Sequence, residues 1–325
     1  MRAVWFERKG PAAEVLAYGE MDDPHPASAE VRIRVSHSGI NPGDVKKRSG
    51  IYDGTMPYPR IIPHTDGAGV VDEVGPGVPG RWRNKPVWCS YAQTYRPFGT
   101  AAELTTVPVA HVAELPNGLD PAQAACLGIP GITGHRAVFA DGPVKGQTVL
   151  VRGGAGAVGR AAVALARRGG ARVLATVTVP EQCDDVRAAG AEEVFAVGGD
   201  LVGQVKETAP SGVDRIIEVA FSDNVAQDVE MLAIGGTVVS YSSRDDEPSI
   251  PFRQMVFRNI TARMIGYDDF PADVISAAMT DVTAAAVAGD LSYPVGAIFA
   301  LPETASAQQA VEDRTVAGRV VVSVA

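Results

Sequence analysis

Thr148-Val149-Leu150-Val151-Arg152-Gly153-Gly154-Ala155-Gly156-Ala157-Val158-Gly159 decides the fold. The β-forming residues at 148–151 run through Arg152 straight into a string of small ones. Val158–Arg168 then places Val158, Ala162, Leu165 and Ala166 on one helical face. Gly153-x-x-Gly156-x-x-Gly159 departs from the usual G-x-G-x-x-G spacing and keeps its physics. Small residues let the backbone approach a pyrophosphate, the unpaired amides of the helix start offer it a positive dipole end, and Gly159 permits close helix-to-strand packing.

Working outward, short apolar strands at 172–177, 193–197, 214–219, 236–241 and 260–265 alternate with Ala-rich amphipathic stretches. With 147–151 they make six strands joined by crossovers, the pattern of a doubly wound parallel sheet of Rossmann type, an α/β fold. Before Pro121 the texture differs. Val31-Arg32-Ile33-Arg34-Val35 alternates with period two, Gly67-Ala68-Gly69-Val70-Val71 is an apolar run, and Pro or Gly recurs between such runs, which predicts a mostly β domain. After a helix near 272–289, strand texture returns at Arg319–Val324, so the tail is expected to complete that first domain.

Length and composition agree. The 325 residues, 46% hydrophobic, suffice for two domains of roughly 150 residues with sizeable cores. A net charge of -9 argues against nucleic acid as a partner, because that binding rests on Lys and Arg meeting phosphate. Cys89, Cys126 and Cys183 form no C-x-x-C pair and no even framework, which argues against a disulfide scaffold and a Cys-rich zinc module and fits a reducing compartment. Met1–Phe6 alternates like a strand rather than a signal peptide. No apolar run reaches the roughly 18 residues of a membrane span. The expectation is a soluble, cytoplasmic protein.

At the end of the second strand of the Rossmann pattern stands Thr176-Val177-Thr178-Val179. NAD enzymes place a carboxylate there for the adenosine ribose. Its absence leaves nothing to repel a 2'-phosphate and favours NADP(H). No Lys or Arg is local to this stretch, so Thr178 would supply a hydroxyl and a more distant Arg244 or Arg314 the charge, against the plainer reading of each as a solvated surface arginine.

Several segments, in order and spacing, carry a resemblance: Gly39-Ile40-Asn41-Pro42-Gly43-Asp44 with Ser49-Gly50-Ile51-Tyr52, Asp66-Gly67-Ala68-Gly69-Val70-Val71 with Val74-Gly75, and Gly99-Thr100-Ala101-Ala102-Glu103. They continue through Ala124-Ala125-Cys126-Leu127-Gly128-Ile129-Pro130-Gly131-Ile132-Thr133, the glycine loop and Gly190-Ala191. Over nearly its full length the chain resembles the zinc-independent quinone oxidoreductases, the zeta-crystallin-like branch of the medium-chain dehydrogenase/reductase superfamily. That resemblance implies a GroES-like substrate domain over 1–122, completed by 291–325, and a Rossmann domain over 123–290, with the active site in the cleft between them. It implies that Asn41 and Tyr52 line the cleft near the nicotinamide and that Ala155, Gly156, Ala157 and Val158, between Gly153 and Gly159, hold the pyrophosphate. Thr178 would sit by the adenosine ribose. Thr133, Ser242, Ser243, Arg244, Gly266, Tyr267 and Arg314 would border the cofactor. The family's Lys after the second strand is replaced by Cys183, and its Tyr or His after the third by Val197, so contacts to a 2'-phosphate are thinner than usual.

Zinc-dependent relatives carry Cys where this chain has Asn41 and His where it has Thr65; His64 stands one residue out of register and reads as a turn or core-edge histidine. A catalytic zinc needs three protein ligands, so no metal is expected. Without a metal, a quinone or α,β-unsaturated carbonyl is electrophilic enough to take hydride with positioning and one hydrogen-bond donor, and Tyr52 is the expected donor. Asp44 is expected to hold its loop. An enoyl or alkenal C=C reductase is the rival enzyme, and an NADPH-binding module without turnover the rival of another class. Family members dimerise through the sixth strand, here Ile260–Ile265; Arg263 alone would guard that edge in a monomer.

Overall fold

The computed structural model describes residues 1–324. Before the glycine loop run β1 (Arg2–Trp5), β2 (Ala17–Glu20), β3 (Glu30–Gly39), β4 (Asp66–Val74), β5 (Pro86–Cys89), β6 (Leu104–Pro108) and β7 (Val112–Glu114). Then come β8 (Thr148–Val151), β9 (Arg172–Val177), β10 (Glu193–Ala196), β11 (Val213–Glu218), β12 (Leu232–Ser240) and β13 (Thr261–Met264), and the chain closes with β14 (Val295–Ala300) and β15 (Arg319–Ser323). It divides into two compact units. A β-rich unit comprises Met1–Ile129, Pro271–Thr283 and the tail from Ser292; an α/β unit comprises Pro130–Phe270 and Ala284–Leu291.

In the α/β unit the sheet order is β10-β9-β8-β11-β12-β13, every pairing parallel. Numbered within the unit this is 3-2-1-4-5-6, the doubly wound order expected from the sequence. Strand periodicity sorts its core into two layers. Val149, Val151, Val173, Ala175, Ile217 and Val239 pack with Ala162, Val163 and Ala166 of the helix Ala157–Arg168 on one face. Leu150, Leu174, Ile216 and Val238 pack with Val205, Val225 and Val229 on the other. The strand read from 236 begins at Leu232. Gly235, at φ +79°, looks like a turn in sequence but lies in an irregularity between the Leu232–Val213 and Thr237–Arg215 pairs.

The β-rich unit is built around β3. Its whole length pairs with β4; on the other edge Glu30–Arg34 pairs with β6 and His37–Gly39 with β15. The sheet runs β14-β15-β3-β4-β5-β7, with the two strands of the tail beside β3. Val31, Ile33 and Val35 turn into its core, as their alternation predicts. Relative to the boundaries expected at 122/123 and 290/291, 123–129 and Pro271–Thr283 group with the β-rich unit and Leu291 with the α/β unit. Side-chain ties explain this. Gln123 accepts from the Tyr293 amide at 2.9 Å and donates to the Tyr293 carbonyl at 2.5 Å, and Trp88 Nε1 donates to Thr283 Oγ1 at 3.1 Å.

Candidate functional site

The glycine loop is wound tightly by its own backbone. Gly153 takes φ +71° and donates to Thr176 Oγ1 at 3.1 Å; Gly154 N donates to Thr176 O at 2.8 Å and Gly156 N to Gly153 O at 3.0 Å. A Cβ on Gly159 would stand 2.2 Å from Gly153 O, so the helix start can pack this closely on the loop only because residue 159 has no side chain. Ala155, Gly156, Ala157 and Val158 stay partly accessible where the first helical amides lack intrahelical partners. This cradle fits a pyrophosphate.

The other residues expected at a dinucleotide divide into three groups. Ser242, Ser243 and Arg244 follow β12, and Gly266 and Tyr267 follow β13, on the carboxyl edge that also carries the glycine loop after β8. Ser242 O accepts from Ser240 Oγ at 3.0 Å and from Phe221 N at 3.2 Å, Ser243 Oγ donates to Asp245 O at 2.8 Å, and the Arg244 guanidinium is 3.2 Å from Asp223. Tyr267 rests on Phe270 with ring centres 6.0 Å apart. Thr133 is buried on the helix Gly128–Phe139, and its hydroxyl has no protein partner, an orphan of the kind a bound group satisfies. Arg314 belongs to the β-rich unit, exposed, at φ +54° just past the helix Thr304–Glu312.

Thr178 is exposed just beyond β9, its hydroxyl 3.4 Å from Gln182 Oε1. Glu181, Asp184 and Asp185 follow it, and the guanidinium of Arg160 is held by Asp185. Arg187 is likewise 3.0 Å from Asp184, so both arginines are already paired. Val197 is half exposed after β10.

In the β-rich unit Asn41 is the hub of a buried polar cluster, only 1% exposed. Its Nδ2 donates to Asp66 Oδ2 and its Oδ1 accepts from Arg319 Nη2, both at 2.7 Å; its backbone amide donates to Asp44 Oδ2 at 2.8 Å. Asp44 caps the helix Pro42–Ser49 and accepts from Thr65 Oγ1 at 3.0 Å. Asp66 also accepts from Ser90 Oγ at 2.5 Å and Ile129 N at 2.8 Å. Burial pushes its carboxyl up to about 6, against the pull of Ser90, Ile129 and Asn41, with nearby Asp44 adding to the rise. A Cβ on Gly128 would sit 2.0 Å from Asp66 Oδ1.

His64 is fully buried at φ +74°, more deeply than a core-edge histidine. Its Nδ1 is 2.9 Å from Ser38 Oγ and its Nε2 3.0 Å from Gln308 Nε2; burial drives its pKa down to about 3, so the ring is neutral. Gln308 Oε1 accepts from Arg48 Nε at 2.9 Å, and Arg48 reaches Glu312 at 2.7 Å and the Gly10 carbonyl. Zinc does not fit here. Asn41 and Thr65 stand at the ligand positions, both ring nitrogens of His64 are engaged, and every donor to Asp66 would have to be displaced. Among the described residues no group of three metal-ligating side chains converges.

Tyr52 is in the loop after Ser49, 63% exposed, with Lys46 Nζ 5.5 Å from its ring centre. Asn41 and Tyr52 are thus in different settings: a buried amide held by a carboxylate and a guanidinium, and a phenol that is mostly exposed.

Sequence reading missed a second buried cluster. Arg152, Glu218 and Asp228 converge at the ends of β8 and β11, with Arg152 Nε 3.4 Å from Glu218 Oε2 and 3.7 Å from Asp228 Oδ1. The only signal was a charged residue following the apolar run Val149–Val151 and another following Ile216-Ile217.

With this geometry, residues 27–117 match the family model of the alcohol dehydrogenase GroES-like domain and 157–281 that of the zinc-binding dehydrogenases. The quinone oxidoreductase of Rattus norvegicus is 36% identical over 253 residues, 75% of this chain and 74% of that one. Among solved structures, an NAD-dependent alcohol dehydrogenase superposes with TM-score 0.89 at 26% identity, covering 100% of both chains. A mycobacterial protein complexed with NADPH does so with TM-score 0.86 at 25% identity, again over 100% of both. A GroES-like module followed by such a Rossmann module is the plan of the medium-chain dehydrogenases and reductases, and this chain is an oxidoreductase of that kind. Within the superfamily it belongs to the quinone oxidoreductase branch.

Proposed function

We propose that the protein transfers hydride from NADPH to a quinone without a metal ion. The observation that carries this reading is the glycine loop, wound so that small residues stay accessible at 155–158 and the helix starting at Ala157 has first-turn amides without intrahelical partners. Ser242, Ser243, Arg244, Gly266 and Tyr267 border the dinucleotide on the same sheet edge, and the orphan hydroxyl of Thr133 supplies one more hydrogen bond. When bound, the nicotinamide supplies the hydride. The acceptor then has to be electrophilic by itself, since Asn41 and Thr65 replace the metal ligands that would polarise a plain carbonyl. Tyr52 donates a hydrogen bond to the developing oxyanion, and Asn41, pinned between Asp66 and Arg319, shapes the pocket rather than donating to the acceptor.

NADPH is preferred because no carboxylate stands at Val177-Thr178; Thr178 meets the ribose, and Arg314 is the remaining distant cation. The free edge of β13, where Thr261, Ala262 and Met264 are exposed, supports a homodimer paired edge to edge. No helix among the described residues is long and apolar enough to cross a membrane, and we place the activity in the cytoplasm.

Following the loss of reduced-cofactor absorbance with NADPH and NADH side by side, against benzoquinone, phenanthrenequinone and a 2-alkenal, tests this. Fast NADPH loss with the quinones alone is the expected result. Turnover of the alkenal instead would make the protein a C=C reductase, and saturable binding with no turnover would make it a binding module.

A further inference from the structure

Arg152 directly follows β8, Glu218 ends β11 and Asp228 lies on the helix Phe221–Met231, all three buried. β8 and β11 are neighbours in the sheet though not in sequence, so this is where the strand order reverses. In open α/β sheets the crevice outside the carboxyl ends at that point takes the ligand. Three loops rest on the cluster. Arg152 is bonded to Gly153, and its backbone amide donates to Ile217 O at 2.9 Å; Glu218 Oε1 accepts from Ala220 N, and from Asn224 Nδ2 at 3.0 Å; Tyr241 N donates to Glu218 O at 3.3 Å.

The charges do not balance as drawn. One guanidinium faces two carboxylates where water is excluded, and Arg152 Nη1, Glu218 Oε2 and both Asp228 oxygens have no hydrogen-bond partner. Arg152 Nη2 reaches only Gln227 Oε1, at 3.5 Å. A second uncompensated buried charge is costly, and a buried carboxyl answers by keeping its proton. Burial, then the Glu218 charge, hold Asp228 well above the usual carboxylate range, with Arg152 pulling the other way. Burial and Glu218 also push the Tyr241 phenol up, so that group stays protonated. The helix Leu201–Thr208, packed on this one, turns Leu201 and Val205 inward and leaves Lys206 and Glu207 exposed.

We propose that Arg152, Glu218 and Asp228 form a proton-loaded floor beneath the dinucleotide loop, so that cofactor binding and proton binding reinforce each other. With Asp228 protonated the cluster is neutral. Losing that proton to solvent leaves a negative charge under the phosphates. Cofactor affinity therefore falls as pH rises through the titration of Asp228, and cofactor binding in that range takes up a proton from the buffer. The inference rests on the proposed dinucleotide site and adds its pH coupling.

Calorimetric titration of the full chain with NADPH, in two buffers of equal pH and different ionisation enthalpy, reads the proton directly. The expected result is fractional proton uptake, with affinity falling by up to about tenfold per pH unit. Asp228→Asn and Glu218→Gln should each abolish that share of the uptake and flatten the pH dependence while NADPH still binds. The cofactor's own 2'-phosphate titrates equally in all three proteins and cancels in the comparison. An infrared band of a protonated carboxyl in the cofactor-free protein, lost in Asp228→Asn or Glu218→Gln, is the second expected sign. Equal uptake in wild type and both variants, or a carboxyl band untouched by either, would overturn the inference. Absence of any NADPH or NADH binding would sink the dinucleotide reading itself, and the coupling with it, a failure distinct from binding without the extra proton.

Discussion

The two units build their working surfaces from different material. At 153–159 the α/β unit uses almost no side chains: backbone bonds, one positive φ and the lack of Cβ atoms make the shape. At Asn41 the β-rich unit does the reverse, tying an amide, two carboxyls, a guanidinium and hydroxyls into one buried cluster. A surface made of backbone has nothing to titrate and fails only when something is added to it. One made of buried side chains fails when a partner is removed or a proton moves.

Adding a single methyl should do the greatest damage to the first. In Gly159→Ala the new Cβ collides with Gly153 O, and NADPH affinity measured by titration should fall by about a hundredfold or more while the melting of the β-rich unit is unchanged. The same change at Gly128 reverses the pattern. Gly128→Ala drives a Cβ into Asp66 and should cost about 1–3 kcal/mol in denaturant unfolding, with little loss of NADPH affinity.

Proton movement tests the second surface more finely. Asp66 is raised to about 6 when folded, so its contribution is fully present below its unfolded pKa and is lost as pH rises from about 4 to 6. His64 is lowered to about 3, so the unfolded chain binds the proton more tightly and stability is lost as pH falls from about 6.5 to 3. The two slopes oppose each other over the shared window, each on the order of 3 kcal/mol. Wild type should show a muted pH dependence of unfolding there. Asp66→Asn should make stability climb with pH, and His64→Asn, which tolerates the positive φ, should make it decline. Parallel curves for all three would break the account. The smallest effect is expected at Tyr52, open to solvent: Tyr52→Phe should leave the melting temperature unchanged and lower kcat with a quinone about tenfold, with KM nearly constant.

Much of this was legible in the sequence where the signal is local. Strand and helix periods placed β8 to β13 within a few residues, because the inner strands β8, β9, β11 and β12 carry residues buried on both faces of the sheet. The glycine loop was legible for the same reason: its constraints lie within seven residues. The start of β12 was not, since Gly235-Gly236 mimics a turn that the sheet absorbs as an irregularity. Nor were the partners of Asn41, because Arg319 is 278 residues away and only the return of the tail to β3 brings it there. Charge at a strand end, as at Arg152 and Glu218, gave no hint of its counterpart on another strand.

The chain from Arg48 to Asp66 permits a single arrangement of its hydrogens. Thr100 Oγ1 can only donate to the Asp66 carbonyl, 2.7 Å away, so Ser38 must donate to Thr100, also at 2.7 Å. Ser38 then has to accept from His64 Nδ1–H, which leaves Nε2 bare to accept from Gln308, whose oxygen is already claimed by Arg48. Five side chains therefore point one way, like a row of compass needles set by a cation at one end. Such a row has no orientational disorder left to lose, and no member can turn without turning all the others.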